Sequence, residues 1–219
     1  MPSPYGDDLT AIGALVIERL TDKNRAREQA LSISREVIRF SANAIRAVHR
    51  EDPDEAVRLI GQAGQRLKDA EPMREENPEI YYAGFLSDAR KEYAEANVTL
   101  SIISGNAIPR PEDLGIDSPP FLNGMAEAIG ELRRYILDSL RRDSFDRCQE
   151  LMEVMDEIYG LLVTVDFPEG VTGGLRHTTD MMRGVLERTR GDLTMALRQH
   201  KLEAQMAEWE SGRSGVSPD

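Results

Sequence analysis

The sequence contains little cysteine, histidine or lysine, and the first two scarcities exclude whole classes of site. Cys148 is the single cysteine among 219 residues, which excludes an internal disulfide framework and a zinc site built from several cysteines. The three histidines are scattered, and none lies at metal-ligand spacing from another. No Ser/His/Asp or Cys/His arrangement can be identified, so the sequence does not predict a catalytic triad.

Long apolar segments are also absent. No apolar run approaches the roughly 20 residues of a membrane span, and the start, MPSPYGDDLT, lacks the basic and apolar regions of a signal peptide. We therefore expect a soluble, cytoplasmic protein. Apolar residues make up 40% of the chain in periodic segments, which predicts one globular domain. We place it at 8–207, between a disordered N-terminus at 1–7 and a flexible tail at 208–219.

Acidic residues outnumber basic ones, and the formal net charge is −12. Taken alone, this charge argues against a nucleic-acid partner, since binding to phosphates needs local positive charge. However, the basic residues are 23 arginines and only four lysines, and arginine is the residue suited to bidentate phosphate contacts. An acid-rich, lysine-poor surface is also typical of proteins from a salt-rich cytoplasm. The sequence thus suggests a halophilic protein, for which net charge is a poor guide to partners.

The pattern of apolar residues and breaks predicts an all-α protein. No segment alternates with period two over a useful length, and prolines and glycines mark the breaks between helical segments. We predict helices at roughly 8–20, 22–50, 54–70, 78–104, 119–141, 144–164 and 172–207, of which the first two can form one continuous helix.

Two pairs of glutamates at helical spacing are the strongest functional signal. Glu92 and Glu95 lie in KEYAEA, and Glu127 and Glu131 lie in AEAIGEL. Residues three or four apart share one face of a helix, with β-carbons about 5–6 Å apart. If the two helices face each other, the four carboxylates converge on a volume that suits Mg²⁺ or Mn²⁺, which prefer oxygen ligands.

The position of the first pair favours this interpretation. At about 100° per residue, Glu92 falls inside the apolar stripe of its helix and Glu95 falls on its edge. A charged group facing the core is costly unless it is paired or bound to metal. The alternative is a set of surface ion pairs, Lys91 with Glu95 and Glu131 with Arg134. This alternative explains Glu92 poorly, since its neighbour one turn back is Asp88.

A row of arginines on the early helix is a second candidate site. Arg35, Arg39, Arg46 and Arg50 fall within about 80° of one another on a helical wheel, opposite an apolar face. The row is either an ordinary solvated face or a surface that binds a phosphate backbone. His49, near the predicted C-terminus of this helix, is expected to be a surface residue whose charge suits the helix dipole.

Four segments in chain order resemble the translin family. They are SREVIRFSANAIRAVHRED, EYAEA, FLNGMAEAIGELRRYILD and VTGGLRHTTDMMRGVLERTRGDL, and the resemblance runs from about residue 20 to residue 200. It is closer to the catalytic branch, which includes translin-associated factor X and archaeal translin-like proteins. The branch that only binds nucleic acid lacks the EYxEA pair.

The resemblance implies a seven-helix protomer of a hollow, usually octameric barrel. It further implies a metal-dependent endoribonuclease for single-stranded or unpaired RNA, with single-stranded DNA as another partner. The family's acidic positions fall on Glu92, Glu95, Glu127 and Glu131, which would hold Mg²⁺ or Mn²⁺. The catalytic branch often has Asp where this chain has Glu127, so the side chain here is one methylene longer.

Assembly into a barrel needs helix faces that the protomer core leaves uncovered. On the last helix, we expect such a face where alternating charges from Arg176 to Arg190 lie beside apolar residues. These apolar residues are Leu175, Met182, Leu186, Leu193 and Leu197.

Three other functions remain open from the residues. The first is a non-catalytic nucleic-acid-binding assembly, in which the glutamates are structural. The second is an all-α nucleotide pyrophosphohydrolase, since those enzymes also place acidic pairs on facing helices. The third, a di-iron carboxylate bundle, is disfavoured because no E-x-x-H motif accompanies the glutamates.

Overall fold

The described part of the chain, residues 5–214 of a computed structural model, is helical and contains no β-strand. Ten helices follow one another along this described part. They are α1 (Gly6–His49), α2 (Pro53–Asp69), α3 (Met73–Glu76), α4 (Pro78–Tyr81), α5 (Gly84–Ile103), α6 (Pro111–Leu114), α7 (Ser118–Leu140), α8 (Cys148–Thr164), α9 (Glu169–Thr172) and α10 (Leu175–Ser214). The all-α prediction is confirmed, and the two predicted early helices form one continuous α1. None of the described helices has an apolar stretch long enough to cross a membrane.

The predicted terminal segments fall partly outside the structure. Residues 1–4 and 215–219, which belong to the predicted N-terminus and tail, lie outside the described residues. Within the described part, α1 already begins at Gly6 and α10 continues to Ser214.

Local sequence signals explain several of the helix boundaries. Asp52 caps α2, because its side chain accepts a hydrogen bond from the backbone N–H of Glu55 at 3.2 Å, and Pro53 occupies the first helical position. One predicted helix, 78–104, is wrong as a continuous element. It is divided into α4 and α5, because the backbone of Ala83 is extended (φ −68°, ψ 150°) and interrupts the helical hydrogen bonds.

Tyr81, the last residue of α4, is buried just before this break. Its hydroxyl donates to Glu71 at 2.5 Å, and the guanidinium of Arg90 lies 4.1 Å from the centre of its ring. These contacts hold the turn that precedes α5 and thereby fix where α5 starts.

The core lies between the six long helices of the described chain. α1 packs against α2 on one side and α5 on the other, α5 packs against α7, and α7 packs against α8 and α10. The largest fully buried side chains include Leu86, Ile129, Leu132, Leu151 and Met155.

This arrangement corrects the face expected for assembly on the last helix. Leu175, Leu186 and Leu193 are buried, and Met182 and Leu197 pack against the same core. The face is covered within the protomer, because α8 and α7 lie against α10. Arg190 of the charge ladder likewise pairs with Asp156 of α8 at 2.6 Å.

The contact between α5 and α7 is a close backbone approach at Gly124. A β-carbon placed there would lie 2.4 Å from the carbonyl oxygen of Lys91 and 2.9 Å from the amide nitrogen of Glu95. Any larger residue must therefore push α7 away from α5. By contrast, a β-carbon at Gly130, six residues further along α7, would meet nothing within 4 Å.

Replacing these two glycines by alanine should have opposite effects. We expect Gly124→Ala to destabilise the protein by roughly 1–3 kcal/mol, as overpacking does in well-packed interiors. Gly130→Ala should stabilise it by roughly 0.5–1 kcal/mol, because alanine is the better helix former. Chemical denaturation of both variants measures the difference, and equal shifts would contradict a close approach at Gly124.

Candidate functional site

The two glutamate pairs face each other across the contact between α5 and α7. Glu92, Glu95 and Glu127 each offer one carboxylate oxygen, and these oxygens all lie within 4.8 Å of one another. We call these three residues the carboxylate cluster. Glu131, one turn further along α7, lies beside them in a cavity of about 410 Å³ that all four glutamates line. The convergence predicted from helical spacing is confirmed for three of the four residues, and Glu131 lines the same cavity.

The predicted order of burial within the first pair is wrong. Glu95 is buried, at 8% exposure, whereas Glu92 is only half-buried. A helical wheel predicts one apolar stripe for this helix. In the structure, α1 covers one side of α5 and α7 covers the other. Glu95 therefore points into the space between helices.

Burial and like charge together make the cluster electrostatically unfavourable without a cation. Burial, together with the charges of Glu92, Glu127 and Glu131, raises the pKa of Glu95 from its ordinary value of 4.5 to about 8, although Lys91 opposes the shift. Burial also raises the pKa of Glu92; Lys91 opposes this shift, and Glu127 and Asp88 add to it.

Two basic side chains neutralise part of this charge. The ammonium of Lys91 donates to Glu127 at 2.7 Å, not to Glu95 as the ion-pair alternative predicted. Burial lowers the pKa of Lys91, but its hydrogen bond to Glu127 and the neighbouring acids outweigh this effect and the pKa is raised overall. The predicted pair of Glu131 with Arg134 is present at 3.7 Å, and the side chain of Arg134 is about half exposed.

The carboxylate cluster fits a hard divalent cation. Its donors are carboxylate oxygens alone, which Mg²⁺ and Mn²⁺ prefer. Glu95 has no hydrogen-bond or ion-pair partner among the described contacts, although it is the most buried of the four glutamates. A bound cation would compensate this buried carboxylate. Glu92, Glu95 and Glu127 are the residues placed to hold it, with Glu131 adjacent.

His49 was missed in the sequence and is part of this site. It was expected on the surface, but its side chain is 5% exposed and its Nε2 lies 2.5 Å from Oε2 of Glu131. The two residues are 82 positions apart in the chain, so no local pattern reveals the contact.

The arginine row is exposed along α1, and only one member reaches the cavity. Arg46 lines it together with the glutamates, and its guanidinium donates to Asn43 at 2.6 Å. Arg39 lies seven residues earlier, about 10 Å along the helix axis, with its guanidinium over the ring of Phe40. Arg35 lies a further turn away, and Arg50 follows the end of α1.

Fold and site together define an α-helical bundle with a carboxylate cluster in a surface cavity, flanked by arginines. A protein of the archaeon Methanocaldococcus jannaschii, the uncharacterized protein MJ0175, is 30% identical over 201 residues, which cover 91% of this chain and 89% of that one. No protein-family model matches the chain.

Solved structures with the same fold give the family. The chain is similar to AfC3PO in complex with duplex RNA, with a TM-score of 0.78 and 35% identity over 85% of this chain and 96% of that one. AfC3PO alone gives the same TM-score at 34% identity, covering 85% and 97% of the two chains. Apo-NeC3PO shares the fold, with a TM-score of 0.74 at 19% identity over 90% of this chain and 99% of that one. The chain belongs to the translin family, among its archaeal, C3PO-like members.

The raised pKa of Glu95 gives a prediction for the metal-free protein. An acid whose pKa is higher in the folded state favours folding while it is protonated, and this contribution is lost as the pH rises through the folded pKa. In EDTA, stability should therefore fall between about pH 4.5 and about pH 8. Glu95→Gln should remove most of this fall, with a remainder from Glu92, whose pKa is also raised, and it should raise the melting temperature at pH 8.

The matched control is Glu157→Gln, which changes an exposed glutamate of α8 in the same way. Melting curves from pH 5 to pH 9 separate the variants. If the profiles of wild type and Glu95→Gln run parallel, Glu95 is not the group responsible.

Proposed function

We propose that the protein is a metal-dependent endoribonuclease that cleaves single-stranded or unpaired RNA within an oligomeric barrel. The observation that carries the proposal is the carboxylate cluster, in which a buried acid without a partner lies beside two others. The similarity to AfC3PO, solved with duplex RNA, supports RNA as the partner class. The preference for unpaired RNA and the barrel come from the resemblance to the family's catalytic branch.

In this proposal, Glu92, Glu95, Glu127 and Glu131 hold Mg²⁺ or Mn²⁺. Such an ion supplies Lewis-acid polarisation of a phosphate and acidification of a water molecule. The exposed guanidinium groups of Arg46 and Arg134 lie beside the acids, where they can bind the RNA backbone.

The remaining wall of the cavity is apolar. Ala42 and Ile45 of α1 and Met182 of α10 line it, so these side chains limit access of water from one side. No serine, threonine or cysteine is among the described residues that line the cavity, so the chemistry depends on the acids and what they hold.

A non-catalytic RNA-binding assembly is the second candidate, and one observation favours it. Lys91 already contacts Glu127, and His49 already contacts Glu131. Two of the four glutamates therefore have partners without any metal. The pyrophosphohydrolase alternative rested on the spacing of the acids alone and gains no support from membership of the translin family.

Cleavage of a labelled single-stranded RNA in the presence of Mg²⁺ or Mn²⁺ separates the two candidates. Glu92→Gln and Glu127→Gln should reduce cleavage to background while leaving helical content and assembly unchanged, because each removes one charged ligand. Glu157→Gln serves as the control. Wild-type cleavage rates in both variants, or equal cleavage in EDTA, would contradict the catalytic assignment.

Changing Arg39 and Arg46 together to alanine should weaken RNA binding and reduce its salt dependence. Each lost phosphate contact lowers the slope of log K against log salt by about 0.7 for a single strand. The control is Arg58→Ala with Arg141→Ala, two exposed arginines of α2 and the end of α7 that lie outside the cavity. An unchanged affinity and slope would identify the row as an ordinary solvated face.

Assembly should be visible as a mass several times the 24.5 kDa of the protomer, eightfold by the family resemblance. The first turns of α1 carry an apolar stripe at helical spacing, formed by Leu9, Ile12, Val16 and Leu20, and each of these is at least 45% exposed. Exposed stripes of this kind are typical of subunit contacts.

Light scattering of Leu9→Glu with Val16→Glu tests whether this stripe takes part. We expect a smaller mass than for the wild type, whereas Ala14→Glu, on the opposite side of α1, should leave the mass unchanged. A wild type that stays monomeric over a wide range of concentration and salt would contradict the barrel.

A further inference from the structure

His49 occupies an enclosed position between α1 and α7. It is the last residue of α1, and its Nε2 lies 2.5 Å from Oε2 of Glu131. A carboxylate oxygen can only accept, so Nε2 donates this hydrogen bond. The side chain is 5% exposed, which keeps water from competing for the contact.

The other ring nitrogen has no such role. Nδ1 of His49 is buried, and no described residue forms a hydrogen bond with it. Glu131 is therefore the one hydrogen-bond partner that the described part of the chain gives this ring. A buried polar nitrogen without a partner costs about 1–3 kcal/mol, so the ring is a poor choice for simple packing at this place.

Glu131 differs from the carboxylate cluster in how it is held. One carboxylate oxygen each of Glu92, Glu95 and Glu127 lies within 4.8 Å of the others, whereas Glu131 accepts a hydrogen bond from His49 and lines the same cavity. Its other neighbour, Arg134, is 3.7 Å away and about half exposed, so it fixes the carboxylate less firmly than the buried histidine does.

We infer that His49 is a positioning residue, which orients Glu131 as the fourth carboxylate of the site. This inference rests on the proposed metal site and adds a residue that touches neither the cation nor RNA. Hydrogen-bond partners of ligating carboxylates orient them, and their loss typically costs 10–100-fold in metal affinity. The competing explanation is a buried pair that only joins α1 to α7.

Two amide substitutions distinguish these explanations. The amide nitrogen of glutamine lies at the same number of bonds from the β-carbon as Nε2 of histidine, whereas that of asparagine corresponds to Nδ1. His49→Gln thus retains a donor towards Glu131, and His49→Asn loses it with little change in polarity. His177→Asn, at an exposed histidine of α10, is the control.

The experiment is a titration of the full chain with Mn²⁺, followed by electron paramagnetic resonance of the free ion, with melting curves in EDTA. We expect His49→Asn to bind Mn²⁺ 10–100-fold more weakly than wild type, and His49→Gln and His177→Asn to remain within about threefold. In a Glu131→Gln background, His49→Asn should cause no further loss, because it acts through Glu131.

Each result leads to one conclusion. Wild-type Mn²⁺ affinity in His49→Asn, or an equal loss in the Asn and Gln variants, overturns the positioning role and leaves the metal site standing. A further loss in the Glu131→Gln background also overturns it. If the wild type itself does not bind Mn²⁺, the proposed metal site fails and this inference fails with it.

Discussion

The site depends on the close approach of α5 and α7 at Gly124. The absence of a side chain there lets the backbone of α7 reach the carbonyl of Lys91 and the amide of Glu95. At this separation, Glu127, one turn after Gly124, lies opposite Glu92 and Glu95. Spacing within each helix pairs the acids, but only the contact between the helices brings the two pairs together. A larger residue at position 124 would separate carboxylates that it does not touch.

The same approach creates an electrostatic problem that the protein solves only in part. Charged groups in a poorly solvated space repel one another more strongly than in water. Lys91 and His49 each contact one carboxylate, Glu127 and Glu131, while Glu95 is the most buried acid and has no described partner. Evolved interiors rarely retain an uncompensated buried acid without a use for it. The distribution of partners therefore points to Glu95 as the centre of the site.

The sequence predicts the local features of this structure and misses those that depend on distant contacts. Helical spacing alone identified all four glutamates and the long helices, because these are local properties of the chain. Helical spacing does not predict contacts between residues that are distant in the sequence. Lys91 pairs with Glu127 of another helix, and His49 contacts Glu131, 82 residues away. The inverted burial of Glu92 and Glu95 has a similar cause, since a helix covered on two sides has no single buried stripe. The sequence predicts that the apolar face of α10 takes part in assembly, because no local pattern indicates that α8 covers this face.

The net charge of −12 also has a different meaning once the positions of the acids and arginines are known. Within the cavity, the acids are buried or half-buried, whereas Arg46 and Arg134 are exposed. A phosphate group approaching from solvent therefore meets guanidinium groups before it meets carboxylates. Closer approach brings like charges together, and it becomes favourable only if a cation lies between phosphate and glutamates. In the proposed function, the acids thus do more than hold an ion: they make close contact with RNA conditional on that ion. An acidic protein can bind RNA in this way, because salt screens distant charges beyond about 10 Å and leaves the order of the nearby charges dominant.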